Sequence, residues 1–168
     1  LELGGKNPAI VFDDADMEQT LEGLGRSCFA NTGQVCLGTE RLYVQRSVFD
    51  EVVERLGQKA KEYRFGDPFS ASTTMGPLIS AKHRSKVLSY YNQAREDGAT
   101  VIAGGDVPAV ADHDNGYWIE PTVWTGLTED SSVIREEIFG PCTHVTPFDS
   151  EEEVLAMAND SPYGLATS

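Results

Sequence analysis

Cys36, in the run Gly33-Gln-Val-Cys-Leu-Gly-Thr-Glu-Arg41, and Glu2, thirty-four positions earlier in Leu1-Glu-Leu-Gly-Gly-Lys-Asn-Pro8, supply a nucleophile type and a base type. A cysteine is partly ionised near neutral pH and its thiolate is intrinsically nucleophilic, so modest help lets it attack a carbonyl carbon. A nearby carboxylate can then draw a proton from water and release the captured group by hydrolysis. Gly4, Gly5, Gly33 and Gly38 flank the two residues, and glycine lets the main chain turn sharply and approach another backbone closely. Neither residue carries this reading alone. A lone intracellular cysteine is a small buried apolar residue roughly nine times in ten, and a lone glutamate near a chain end is a solvated side chain. The pattern around them decides.

Leu1 to Pro8, Gly33-Gln-Val-Cys36 and Glu136-Glu-Ile-Phe-Gly-Pro141 occur in the order and at the separations found in aldehyde dehydrogenases, and the chain resembles that family from its first residue to its last. The resemblance implies an α/β fold of the aldehyde dehydrogenase catalytic-domain type, a mostly parallel sheet flanked by helices. It implies that Cys36 is the nucleophile, that the Cys36 N–H is one oxyanion donor, and that Glu2 is the base for the deacylating water. Glu137 and Phe139 match cofactor contacts, the first on the nicotinamide ribose hydroxyls and the second near the nicotinamide itself. Glu136 is the expected bystander. The implied reaction is NAD- or NADP-dependent oxidation of an aldehyde to a carboxylic acid. Cys36 forms a thiohemiacetal, hydride leaves to the cofactor, and water cleaves the remaining thioester. Relatives that hand the acyl group to coenzyme A typically lack a glutamate at the position of Glu2, so its presence favours hydrolysis.

Within the family, Cys36-Leu-Gly-Thr-Glu-Arg41, Met75-Gly-Pro-Leu-Ile-Ser80, Pro121-Thr-Val-Trp-Thr-Gly-Leu127 and Arg135-Glu-Glu-Ile-Phe-Gly-Pro-Cys142 are similar to the branch acting on 2-hydroxymuconic semialdehyde in aromatic catabolism. That small-molecule aldehyde already carries a carboxylate, and the basic clamp it needs is expected outside these residues. A broad-specificity or betaine-type aldehyde dehydrogenase is the alternative. A cationic substrate would want aromatic faces, but Tyr117, Trp118 and Trp124 read as core or interface material. An alternative of another class is an inactive piece or structural relative, against which intact Glu2, Cys36 and Glu137 speak. No Gly-x-Gly-x-x-Gly turn opens a dinucleotide site here. The resemblance implies that residues 1–168 form most of the catalytic domain, with the dinucleotide-binding domain upstream. The family suggests a homodimer or homotetramer. Arg41 is expected to brace the cysteine loop through neighbouring carboxylates or carbonyls rather than touch substrate, with Lys6 similarly structural.

The elements that must position these residues follow from periodicity. Ala9 to Phe12 reads as a strand, and Asp13, Asp14 and Asp16 offer caps for a helix burying Leu21, Leu24 and Cys28. Arg41 to Gln45 alternates like a strand, and Val48, Phe49, Val52, Val53, Leu56 and Ala60 share one helical face. Phe65 to Ser80 is a loop. Val87, Leu88, Tyr91 and Ala94 mark another helix that Gly98 ends, and Val101 to Ala103 is a short strand. Gly104 to Gly116, which holds His113, reads as a surface excursion. Thr143 to Phe148 is a strand, Ser150 with Glu153 forms a capping box for a helix presenting Val154, Leu155 and Ala158, and Tyr163-Gly164 leads into a further strand.

The chain has 168 residues, 40% of them hydrophobic, enough for one domain with a real core. Its formal charge of −14 argues against a nucleic-acid partner, which would want clustered Lys and Arg. Cys28, Cys36 and Cys142 make an odd set without metal-type spacing, so a disulfide framework and a metal site are not expected, and the cytoplasm is the default location. No apolar run approaches the ~20 residues that span a bilayer. His83, His113 and His144 are expected to be solvated rather than ligands.

Overall fold

Alternating short apolar runs and helical segments build a five-stranded sheet in the computed structural model, which describes residues 2–110 and 116–168. The strands are β1 (Asn7–Val11), β2 (Thr39–Gln45), β3 (Thr100–Ala103), β4 (Thr122–Thr125) and β5 (Cys142–Phe148). They lie in the order β1-β2-β5-β4-β3, all parallel except β3, which runs antiparallel to β4 at one edge. Pro8, which has no N–H to give a ladder, lies in β1 at the other edge. The helices are α1 (Met17–Phe29), α2 (Phe49–Lys61), α3 (Ala81–Glu96), α4 (Ser132–Arg135) and α5 (Glu151–Asn159).

Successive strand residues face opposite sides of a sheet, and two layers of core follow from this. Ala9, Val11, Leu42, Val44, Val123 and Val145 pack with Leu21, Leu24, Val52 and Leu56 of α1 and α2. The alternate residues Trp124 and Cys142 pack with Val87, Tyr91 and Ala94 of α3 and Val133 and Ile134 of α4, and Tyr43 and Phe148 pack with Val154 of α5. A mostly parallel sheet flanked by helices is therefore what the chain forms.

The caps are those the sequence offers. Asp16 accepts the Gln19 N–H at 3.1 Å, Ser80 the His83 N–H at 3.1 Å, and Ser150 the Glu153 N–H at 3.2 Å while Glu153 reaches back to the Asp149 N–H at 2.7 Å. β2 is a strand as expected and is buried almost throughout, because a central parallel strand is covered on both faces. One expectation is corrected: Leu155 is 48% exposed, because α5 turns Val154, Met157 and Ala158 towards Tyr43 and Phe148 of the sheet. Beyond Tyr163-Gly164 the chain runs alongside β1: the Ala166 N–H donates to Asn7 Oδ1 at 3.1 Å, and Ser168 gives its N–H to Pro8 O at 3.2 Å and accepts that of Ile10 at 2.9 Å. Trp118 and Trp124 are buried as expected, and Tyr117 is partly exposed. His113 lies outside the described residues.

Candidate functional site

Past the end of α1 the chain makes a 3₁₀ turn over Ala30–Gly33, in which Asn31, Thr32 and Gly33 all have positive φ, at 51°, 57° and 69°. This conformation is costly for a β-branched residue, and it is held by Thr32 Oγ1 donating to Gly76 O at 3.0 Å and Asn31 Nδ2 to Gln34 O at 3.0 Å. Gly33 is required for space as well as angle, because a Cβ there would stand 2.0 Å from Gly140 O. Gly38 then donates to Val35 O at 2.9 Å, closing a tight turn with Cys36 and Leu37 at its apex. Asn7 Nδ2 fixes both ends of that apex, donating to Cys36 O at 2.7 Å and Gly38 O at 2.9 Å. Gly5 packs against the same carbonyl so closely that a Cβ would lie 2.6 Å from it. Cys36 is partly exposed, and its N–H has no acceptor among the described residues, leaving a donor free beside the sulfur.

The segment that carries Glu2 is thus joined to the cysteine turn through Gly5 and Asn7. Glu2 itself is exposed and hydrogen-bonds to none of the described residues. The segment is also joined to the 136–140 loop: Glu137 Oε1 accepts the Gly5 N–H at 2.8 Å. Its other oxygen is kept clear by Gly4, where a Cβ would stand 3.2 Å from Glu137 Oε2. A carboxylate anchored by one oxygen with the other unobstructed suits a pair of hydroxyl donors, so the residues fit a ribose there.

Phe139 is half-buried with φ 61°. One side of α3 grips the loop around it, since positions 83, 86, 87 and 90 share a helical stripe. His83 Nε2 meets Phe139 O at 2.7 Å, Lys86 Nζ donates to Glu137 O at 2.9 Å, Tyr90 donates to Glu136 Oε2 at 2.6 Å, and Val87 abuts Gly140. Glu136 is exposed and turned to Tyr90, apart from Glu137. Burial and that neighbouring carboxylate push the Tyr90 phenol well above its ordinary range.

Motif order, fold and this convergence of three distant segments agree with the match of an aldehyde dehydrogenase family model to residues 1–168. The chain is a member of the aldehyde dehydrogenase family. It is 57% identical over its whole length to a 2-hydroxymuconic semialdehyde dehydrogenase of Pseudomonas putida, covering 35% of that protein. Over 99% of its length it is 48% identical to a betaine aldehyde dehydrogenase of Brucella ovis, covering 34% of it. The solved betaine aldehyde dehydrogenase of Staphylococcus aureus, in complex with NAD+ and with a BME-modified cysteine, superposes with a TM-score of 0.96 at 42% identity, over 99% of this chain and 34% of that one. The chain thus spans about a third of the length of these aldehyde dehydrogenases.

The aldehyde dehydrogenase chain keeps its other thiols out of reach. Cys28 and Cys142 are free but buried, and burial pushes the Cys28 thiol up to about 12 and Cys142 well above the ordinary range. His144 is buried in β5, not solvated: Nε2 accepts the Leu127 N–H at 3.0 Å, so the proton sits on Nδ1, 3.0 Å from Thr146 Oγ1. Burial lowers its pKa to about 3. His83 sits on α3 and is one of that helix's contacts to the 136–140 loop. Arg41 braces through carbonyls, but those of the Glu2 segment and the end of α5 rather than of the cysteine loop, donating to Lys6 O at 2.8 Å, Met157 O at 3.1 Å and Ala158 O at 3.0 Å.

Two residues of the chain escape sequence reading. Asn7 is one, and Glu40 is the other. Glu40 is 8% exposed, and its carboxylate takes Lys6 Nζ at 2.5 Å, the Ile138 N–H at 3.0 Å and the Phe139 N–H at 2.8 Å. Both lie inside the quoted motifs, but their partners are up to 99 positions away, and nothing local announces them.

Proposed function

We propose that this aldehyde dehydrogenase oxidises an aldehyde to a carboxylic acid with NAD or NADP, that Cys36 is its nucleophile, and that its substrate is 2-hydroxymuconic semialdehyde. The observation that carries the mechanism is the tight turn that exposes Cys36 and its free N–H together where the Gly4-Gly5 segment and the 136–140 loop meet. The Cys36 thiolate adds to the carbonyl carbon, and the oxygen that gains charge lies within range of the Cys36 N–H, one preorganised donor for the tetrahedral state. Bound cofactor supplies a hydride acceptor. Glu137 is set to hold it through Oε2 while Gly5 fixes Oε1, and Phe139 presents its ring beside it. Glu2, exposed on the segment that reaches Cys36 through Gly5, takes a proton from the water that cleaves the thioester. The rest of the dinucleotide site, a second oxyanion donor and any clamp for the substrate carboxylate belong to the larger part of the relatives' length that this chain does not span. The name of the 57% identical relative supports the substrate.

In the full-length protein, Cys36→Ala should abolish reduction of the nicotinamide cofactor. Glu2→Gln should leave the first turnover fast, seen as a burst of reduced cofactor, and slow thioester hydrolysis by about 10²–10⁴-fold. A Glu2→Gln enzyme that turns over normally, with no acyl-enzyme detected by mass spectrometry, would remove Glu2 from the base role. Preference for betaine aldehyde over the muconic substrate would replace the substrate with the second reading, which the 48% identical relatives support.

A further inference from the structure

Glu40 occupies a β-bulge. Asn7 pairs with Thr39 and Pro8 with Arg41, so Glu40 is the extra residue of β2 opposite β1. In a regular strand it would share a face with Leu42 and Val44, in the apolar layer under α1 and α2. The bulge re-aims it, and its carboxylate meets Lys6 Nζ and the N–H groups of Ile138 and Phe139. Lys6 is 1% exposed, its ammonium held by Glu40 and its carbonyl by Arg41. One carboxylate therefore ties together the segment of Glu2, the strand that follows Cys36 and the loop of Glu137 and Phe139. On the other side of that loop, His83 and Lys86 hold the carbonyls of Phe139 and Glu137. The left-handed Phe139 is gripped at both its N–H and its C=O, as a strained residue must be if it is to persist.

We infer that Glu40 is a positioning residue for the dinucleotide: by accepting the Ile138 and Phe139 N–H groups it sets the conformation in which Glu137 and Phe139 meet the cofactor. The inference rests on the reading of Glu137 and Phe139 as cofactor contacts. All three partners of Glu40 are donors, so an amide in its place would set its own N–H groups against one of them. Loss of the charged acceptor should weaken binding through the loop even though α3 keeps its grip.

The test uses the full-length protein with NADH, read by its fluorescence on binding, and amide hydrogen exchange of the peptide covering residues 136–140. Glu40→Gln should weaken NADH binding by about 10-fold or more and speed exchange in that peptide, as expected for loss of hydrogen bonds to a charged acceptor. Glu40→Asp should recover part of both. Because a single change strands a buried charge, the paired variant Lys6→Met with Glu40→Leu removes both charges and protects the fold; it should retain the weak binding. Either the Gln or the paired variant binding NADH within two-fold of wild type, with unchanged exchange, would overturn the role of Glu40. Glu137→Gln separates the two ideas. If it weakens NADH binding while the paired variant does not, the Glu40 inference alone fails; if it binds normally, the cofactor reading of the loop fails and this inference with it.

Discussion

His144 shows how a residue's chemistry is set by what surrounds it. Its folded pKa of about 3, against an ordinary 6.5, follows from burial first and the nearby Lys6 charge second. The unfolded chain protonates His144 near 6.5 and the folded chain only near 3. The unfolded state therefore binds more protons between those values, and stability falls as pH falls through that window; above it the contribution is flat. Urea unfolding from neutral pH down to about pH 4 should show a falling midpoint in wild type and a shallower fall in His144→Gln. Equal slopes would assign the acid lability to other groups. Sequence reading singled out Cys36, Glu137 and Phe139 as candidates because their motifs are contiguous, and it foresaw the carbonyl-bracing part of Arg41. It could not find Glu40 or Asn7, whose partners are reached only through the folded sheet.

At the level of elements, α1, α2 and α3 were legible because each buries a periodic apolar stripe: Leu21, Leu24 and Cys28; Val52, Leu56 and Ala60; Val87, Tyr91 and Ala94. β4 and α4, at four residues each, were not. β2 was legible from Arg41 to Gln45, but the burial of the polar Glu40 and Arg41 against distant donors and acceptors was not. The junction of the cysteine turn with the 136–140 loop is the element-scale feature most open to test. Gly33→Ala places a methyl group at φ 69° and 2.0 Å from Gly140 O. The left-handed backbone alone costs ~1–2 kcal/mol, and the overlap adds a further ~1–3 kcal/mol. The expected result is a clear drop in the denaturant midpoint together with loss of cofactor reduction; a variant with wild-type stability would mean the two loops can part without cost.

For the molecule as a whole, the sheet sorts the thiols. Iodoacetamide added to the native protein should modify Cys36 and spare Cys28 and Cys142, as read by peptide mapping, whereas in denaturant all three should react. Native modification of Cys28 would contradict its burial at 2% exposure. Among the described residues no helix is long and apolar enough to cross a membrane.

The insertion of β2 between β1 and β5 also has a consequence in time. Its pairing with β5 joins Arg41 to His144 across about a hundred residues, a loop that must close before the pairing rewards it. Until then Cys28, Cys36 and Cys142 are equivalent, each open to any oxidant, and the distinction between one reactive sulfur and two silent ones does not yet exist. Oxidative mispairing is therefore expected before the sheet closes rather than after it, and refolding without added thiol should give more cross-linked chain than refolding with it.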